Sequence, residues 1–112
     1  MPQRVTEQTM RLLEALLEEP LGEHYGLELM GRAQLASGTA YPILHRLEED
    51  GWLESGQEAI DPSAAGRPRR RLYRLTALGE AQAKALVNER RQRKRRARAT
   101  ASSLPRLREA PA

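Results

Sequence analysis

The stretch SGTAYPILHRLEEDGWLES, residues 37–55, decides the fold. Successive residues of a helix lie about 100° apart, which brings four apolar side chains of this stretch to one side. These four are Ala40, Ile43, Leu44 and Leu47. We therefore predict an amphipathic helix that begins near Ser37 and ends at Gly51, because a glycine after a helical run is the usual left-handed C-cap.

Two shorter helical patterns precede this stretch. Residues 6–18 carry a broad apolar stripe that includes Leu12 and Leu16. The breadth of the stripe predicts that this helix is covered on two sides, one of which could belong to a partner subunit. A second helix is predicted over residues 24–32, with Leu27 as one of its core contacts.

Two strand patterns follow the stretch, over residues 52–60 and 69–75. The intervening segment DPSAAGRP, residues 61–68, is rich in turn formers. The two strands should therefore pair antiparallel as a β-hairpin wing. Three helices followed by such a hairpin and a further helix predict a mainly α fold with a two-stranded β wing, the winged helix-turn-helix.

A final helix is predicted after Thr76, with apolar residues at helical spacing. They are Leu78, Ala81, Ala85 and Leu86. Apolar residues nearly vanish after Val87. We therefore divide the chain into a folded domain over residues 1–87, whose last helix starts at about 76, and a basic, then Ala/Ser/Pro-rich tail over 88–112 that is partly disordered.

The start of the third helix is the candidate for sequence recognition. A helix-turn-helix presents the N-terminal part of its last helix to base edges in the major groove, where small and hydrogen-bonding side chains allow close approach. The candidates are Ser37, Gly38, Thr39, Tyr41 and His45. Ser37 and Thr39 could instead be helix caps, and Tyr41 could pack against the second helix. With Thr39 as the N-cap, Pro42 would fall at the third helical position, whose N–H has no intrahelical partner.

The hairpin contains five arginines within eight residues and no acidic residue among them: Arg67, Arg69, Arg70, Arg71 and Arg74. Guanidinium groups suit phosphate oxygens and narrow minor grooves, so the first four are candidate DNA contacts. Strand alternation places Arg69, Arg71 and Tyr73 on one face and Arg70 on the other, so not all five can contact DNA. Alternatively, the charges could only protect a solvated edge strand.

Charge is distributed unevenly along the 112 residues. Residues 1–58 hold 4 Lys/Arg and 11 Asp/Glu, a net −7, whereas residues 59–112 hold 15 and 4, a net +11. Clustered cations in the second half indicate an anionic partner, because they replace counterions condensed on a phosphate backbone. The segment 90–98 could add non-specific phosphate contacts or could merely keep the protein soluble.

Several function classes are excluded by composition. The chain has no cysteine, and His24 and His45 lie 21 positions apart, so neither a disulfide framework nor a metal site is expected. The sequence holds no activated nucleophile, carboxylate pair or phosphate loop, so we expect neither an enzyme nor a cofactor. No apolar run has the length of a signal peptide or of a bilayer span, so we expect a cytoplasmic protein without membrane contact.

Three motifs resemble the PadR family of bacterial transcriptional regulators, in the small subgroup with one C-terminal helix. They are YGLEL (25–29), SGTAYPILHRLEEDGWLES (37–55) and GRPRRRLYRLTALGEA (66–81), and they occur in the order and spacing of the family. The resemblance covers roughly residues 9–87. It implies a homodimer that binds a near-palindromic operator in double-stranded DNA, with recognition helices in successive major grooves, and that usually represses transcription.

The resemblance also implies roles for individual residues. Ser37, Gly38, Thr39, Tyr41 and Pro42 match the recognition-helix motif, and Gly66, Arg67, Pro68 and Arg69 match the wing. The family forms its dimer by packing the C-terminal helix on the first helix of the partner, which makes candidates of Leu12, Leu16, Leu78, Ala81, Ala85 and Leu86. No small-molecule effector is assigned. A winged-helix module that binds a protein partner through its acidic first half is the alternative function.

Overall fold

The order of elements in the computed structural model, which describes residues 5–103, is that of a helical domain with a small sheet. The helices are α1 Glu7–Leu17, α2 Gly26–Ala33, α3 Ser37–Glu49, α4 Pro62–Ala65 and α5 Ala77–Ser103; the strands are β1 His24–Tyr25, β2 Leu53–Gln57 and β3 Arg71–Leu75. The predicted mainly α class with an antiparallel β hairpin is confirmed. Within the described part of the chain, no helix is both long enough and apolar enough to cross a membrane.

The sheet has three strands in the order β1-β3-β2, not the two that were predicted. His24 pairs with Tyr73 and Tyr25 with Leu72, so the predicted second helix was wrong at its start and begins only at Gly26. His24 is buried, and its Nε2 lies 2.9 Å from the Glu19 carbonyl oxygen. A strand of two residues is too short to show the alternation by which strands are recognised in a sequence.

The wing, defined as residues 53–75, has shorter strands than predicted. Its strands end at Gln57 and resume at Arg71, so Arg69 and Arg70 precede β3. The predicted loop contains the one-turn helix α4, which Asp61 caps by accepting a hydrogen bond from the Ser63 N–H at 3.0 Å. The sequence pattern is typical of a turn, and a single helical turn uses the same residue types.

Helix α3 begins at Ser37, as predicted. Its N-cap is Ala36, and no side chain caps the helix, so the role predicted for Thr39 is wrong. Pro42 is therefore the sixth helical residue and lies inside the helix. The predicted end is confirmed: Gly51 has φ +79°, and the Trp52 N–H donates to the Leu47 carbonyl at 2.9 Å.

Helix α1 lies between α2 and α5, and both of these cover it within one chain. Leu12 and Leu16 are fully buried there, so the second covered side of α1 is filled by α5 and not by a partner subunit. Leu27 is 73% exposed, and its predicted place in the core is therefore wrong. It is the second residue of α2 and lies beyond the side that α1 covers.

Helix α5 packs on the core through Ala83 and Val87, with Leu86 partly buried beside them. Gly79 permits this packing, because a Cβ at that position would lie 2.0 Å from the Trp52 carbonyl oxygen. The helix continues to Ser103, so residues 88–103 of the predicted tail are helical. Residues 104–112 of that tail lie outside the described residues.

Candidate nucleic-acid interface

The six residues predicted for sequence recognition all lie on the exposed side of α3. They are Ser37, Gly38, Thr39, Tyr41, Pro42 and His45. Within residues 5–103, no hydrogen bond uses the hydroxyl of Ser37 or Thr39, so neither side chain is a cap. A Cβ placed at Gly38 would meet no atom within 4 Å. The start of α3 therefore presents two hydroxyls and an unobstructed backbone to any partner.

The acidic end of α3 limits this surface to the first turns of the helix. Glu49 lies 3.6 Å from His45, one turn earlier on the same side. Glu48 lies on another side and accepts a hydrogen bond from Ser55 in β2. A carboxylate at the surface repels phosphate, so a polyanion would approach α3 at its N-terminal half.

A buried carboxylate, Glu58, organises the tip of the wing, between the end of β2 and the start of β3. Arg67 donates to both of its oxygens, at 2.7 and 2.9 Å, and the Arg70 backbone N–H and the Tyr25 hydroxyl donate at 3.2 and 3.1 Å. The hydrogen bonds from Arg67 are the main reason why the pKa of Glu58 falls from 4.5 to about 2, and burial acts in the opposite direction. Arg67 is thus held inside the wing by a two-point ion pair.

Two further wing arginines also have carboxylate partners. Arg74 donates to Glu54 at 2.9 Å, across the β2–β3 pair. Arg71 lies 3.8 Å from Glu48 and donates to the Ser55 hydroxyl at 2.8 Å. The structure therefore places Arg67, Arg71 and Arg74 in contacts within the chain that offset their charge.

Arg69 and Arg70 differ from the other three. Arg69 donates through Nε to the Ile60 carbonyl at 2.9 Å, and the Arg70 guanidinium lies 4.9 Å from the centre of the Tyr25 ring. Among residues 5–103, no carboxylate lies within 4 Å of either guanidinium, and both residues are exposed. Their positive charge is consequently directed to solvent.

A groove of about 320 Å³ separates these arginines from α2 and α3. Its lining combines Tyr25, Leu27, Tyr41 and Pro68 with the arginines at 67 and 69–71. Leu27 is 73% and Tyr41 is 41% exposed. A nucleic-acid strand is chemically complementary to this lining. Its deoxyribose and thymine methyl groups can contact the apolar side chains, and its phosphates can contact the guanidinium groups.

Sequence reasoning missed three residues of this site: Glu58, Tyr25 and Leu27. Glu58 lies in a strand pattern with no feature that marks it as buried, and its ion pair joins residues nine positions apart. Tyr25 lies in the motif YGLEL, and nothing in that motif indicates that its hydroxyl contacts the wing. Leu27 fits the apolar spacing of a core residue, and only the direction of α2 shows that it is exposed.

The candidate dimerisation residues separate into two groups. Leu78, Ala81 and Ala85 are exposed along one side of α5, and Leu78 retains half of its accessible surface. Leu86 is partly buried against the core of its own chain, and Leu12 and Leu16 are wholly inside that core. The exposed group could contact another chain without rearrangement of the core, whereas Leu12 and Leu16 could not.

Residues 12–85 match the Transcriptional regulator PadR-like family. A curated protein, Transcriptional regulator Rv3488 of Mycobacterium tuberculosis, is 47% identical over 58 residues, which are 52% of this chain and 47% of that protein. The chain thus spans about half the length of this relative.

Two crystal structures show the same fold. That of smu.1704 from Streptococcus mutans has a TM-score of 0.70 and 24% identity, over 96% of this chain and 100% of that chain. That of a PadR family transcription regulator from Clostridium difficile has a TM-score of 0.66 and 23% identity, over 80% and 93%. The predicted winged helix-turn-helix is confirmed. The family match covers most of the residues of this chain. The chain therefore belongs to the PadR-like family of transcriptional regulators and not to a class of enzymes.

Proposed function

We propose that this chain is a sequence-specific regulator that binds double-stranded DNA as a homodimer in the cytoplasm and represses transcription at a near-palindromic operator. The observation that carries the proposal is the exposed start of α3, beside Arg69 and Arg70 of the wing. Within residues 5–103, the hydroxyls of Ser37 and Thr39 make no hydrogen bond and neither arginine has a carboxylate within 4 Å. Helix-turn-helix proteins place the N-terminal part of the second helix of the motif, which is α3 in this chain, in the major groove. Membership of the PadR-like family supports a role in transcription.

The start of α3 supplies the proposed base contacts. Ser37 and Thr39 would donate hydrogen bonds to base acceptors, and the absence of a side chain at Gly38 would let the helix backbone approach the base edges. Tyr41 and Pro42 are exposed, and Tyr41 lines the groove together with Leu27. Both residues would offer apolar contact to thymine methyl groups. Sequence choice would thus lie in the first two turns of α3.

The wing supplies the proposed phosphate contacts through Arg69 and Arg70. Phosphate contacts fix the position of a protein on the duplex, whereas base contacts specify the sequence. Arg67 and Arg71 would act indirectly, because Arg67 pairs with Glu58 inside the wing and Arg71 pairs with Glu48 of α3. Of the four predicted wing contacts, two would thus bind DNA and the other two would fix the shape and position of the wing.

The proposed dimer uses the exposed side of α5. Leu78, Ala81 and Ala85 recur at i, i+3 and i+7, which is the spacing of a helix-packing stripe. A two-fold dimer through this stripe would present two α3 helices to half-sites whose centres lie one helical turn apart, about 34 Å.

Selection of bound duplexes from a random pool tests the DNA-binding proposal. We expect enriched sequences with two inverted half-sites about one helical turn apart. Enrichment of a single half-site would contradict the dimer arrangement. Failure to bind any duplex even at low salt would contradict DNA binding and would favour a protein-interaction module.

Mass measurement by sedimentation tests the dimer surface separately. The Leu78→Gln/Ala81→Gln variant should be monomeric where the wild type is a dimer, because it places polar amides in the proposed interface. The control is Lys84→Gln, an exposed residue of the same helix outside the stripe, which should leave the dimer intact. An unchanged mass for the first variant would exclude this surface.

A further inference from the structure

The last part of α5 projects beyond the body of the protein. Up to residue 101, Val87 is the last buried residue of α5, and Arg90 is the last residue in an ion pair with α1, donating to Glu7 and Glu14. From residue 91 to residue 101 every residue is exposed. We call residues 91–103 the distal arm; at 1.5 Å per residue it is about 20 Å long.

The distal arm has positive charge without acidic residues. It holds six cations, Arg91, Arg93, Lys94, Arg95, Arg96 and Arg98. Arg93 pairs with Glu89 at 2.8 Å, and the charge of Lys94 contributes to the lowered pKa of Glu7. For the other four, no carboxylate among residues 5–103 lies within 4 Å.

The five arginines of the distal arm lie on different sides of the helix. At about 100° per residue, Arg91, Arg95 and Arg98 recur at i, i+4 and i+7 and share one side. Arg93 and Arg96 lie on the opposite side. We call the set of Arg91, Arg95 and Arg98 the basic stripe. Like charges one turn apart destabilise a helix, so a polyanion that neutralises the stripe would also stabilise the arm as a helix.

The chemistry of the distal arm favours a nucleic acid over a membrane. Its described apolar residues are alanines, at 97, 99 and 101. A helix that lies in a lipid interface needs a face of large apolar side chains, which the arm lacks. A DNA duplex presents one negative charge about every 1.7 Å of its axis, so a regular row of phosphates extends along the whole length of such an arm.

We propose that the basic stripe binds the sugar–phosphate backbone of duplex DNA independently of sequence. The inference rests on the proposed DNA-binding function and adds to it a second contact, separate from α3 and the wing. Such a contact raises affinity for every duplex and leaves the preference for the operator unchanged, because phosphate contacts carry no sequence information.

Two variants of the full chain with equal charge and spacing test this proposal. Arg95→Gln/Arg98→Gln removes two cations of the stripe, and Arg93→Gln/Arg96→Gln removes two from the opposite side. Binding to a duplex of arbitrary sequence is followed by fluorescence anisotropy at several KCl concentrations. The stripe variant should reduce the slope of log affinity against log salt by about 2, since each phosphate contact contributes about 0.9. The control variant should reduce it by less than about 1.

Several results would overturn the proposal. If the wild type binds DNA and the stripe variant keeps its slope, the distal arm makes no phosphate contact while the proposed function stands. If the wild type binds no duplex at low salt, both fail. Equal reductions of the salt slope in both variants would exclude a phosphate contact confined to the basic stripe. If the protein binds phosphatidylserine vesicles and only the stripe variant loses this binding, the arm contacts a membrane. If the stripe variant changes the mass of the dimer and keeps the salt slope, the arm contacts the partner chain.

Discussion

Glu58 and Arg67 form a two-point ion pair at the tip of the wing, with Nη1–Oε1 and Nη2–Oε2 distances of 2.7 and 2.9 Å. The same carboxylate accepts a hydrogen bond from Tyr25, the residue that precedes α2. The wing is thereby tied to the helical part of the molecule. An arginine that the sequence makes a candidate DNA contact thus also forms a link within the fold.

The acid stability of the protein should depend on Glu58. Its pKa is about 2 in the folded chain against 4.5 ordinarily, so the ionised form stabilises the fold above pH 4.5 and this contribution is lost as pH falls from 4.5 to 2. The free energy of unfolding of the wild type should therefore fall more steeply across this window than that of Glu58→Gln. Urea unfolding at a series of pH values measures the difference, and parallel curves would contradict it.

Arg67→Lys should weaken DNA binding without removing a phosphate contact. The ammonium keeps the charge but cannot donate two parallel hydrogen bonds to Glu58, so the wing would be held less firmly. We expect affinity to fall several-fold while the salt slope stays the same. The matched variant Arg67→Gln removes the charge, and a slope reduced by about 1 in that variant would show that Arg67 itself contacts phosphate.

Gly31→Ala and Gly38→Ala should separate folding from binding. Both glycines are helical, and a Cβ at either would meet no atom within 4 Å. Each substitution should raise the free energy of unfolding by up to about 1 kcal/mol, because alanine loses less backbone entropy in a helix. Only Gly38→Ala should weaken duplex binding, since Gly38 lies at the proposed interface. Equal affinities for the two variants would contradict the placement of α3 against DNA.

Gly79→Ala should destabilise the protein despite the same gain in helix propensity. The new Cβ would lie 2.0 Å from the Trp52 carbonyl oxygen, so α5 must move away from the core. We expect a net loss of about 2 kcal/mol or more in urea unfolding, within the range for overpacked sites. Gly31→Ala is the control, and equal stability of the two variants would exclude close packing at Gly79.

The helical part of the fold follows from local sequence signals. Apolar spacing located α1 and α3, and Gly51 gave the end of α3, because these features depend on neighbouring residues. The strand β1 could not be predicted, since two residues carry no period and its partner, β3, lies some 48 positions away.

The candidate site was predicted less completely. Exposure of the α3 residues followed from the helical period, but the pairing of Arg67 with Glu58 depends on how the hairpin closes. Similarly, Leu78, Ala81 and Ala85 have the spacing of core residues, yet Ala83 and Val87 face the core. The position of Gly79 against Trp52 fixes the rotation of α5, and this contact is invisible in the sequence.

We expect Arg69 and Arg70 to be the wing residues that contact DNA phosphates. The salt dependence of duplex binding by Arg69→Gln/Arg70→Gln tests this role. The control is Glu54→Gln/Arg74→Gln, which removes one ion pair of the wing without changing the net charge. The first variant should reduce the salt slope by about 2, and the second should leave it unchanged. A wild-type slope in Arg69→Gln/Arg70→Gln would contradict the account.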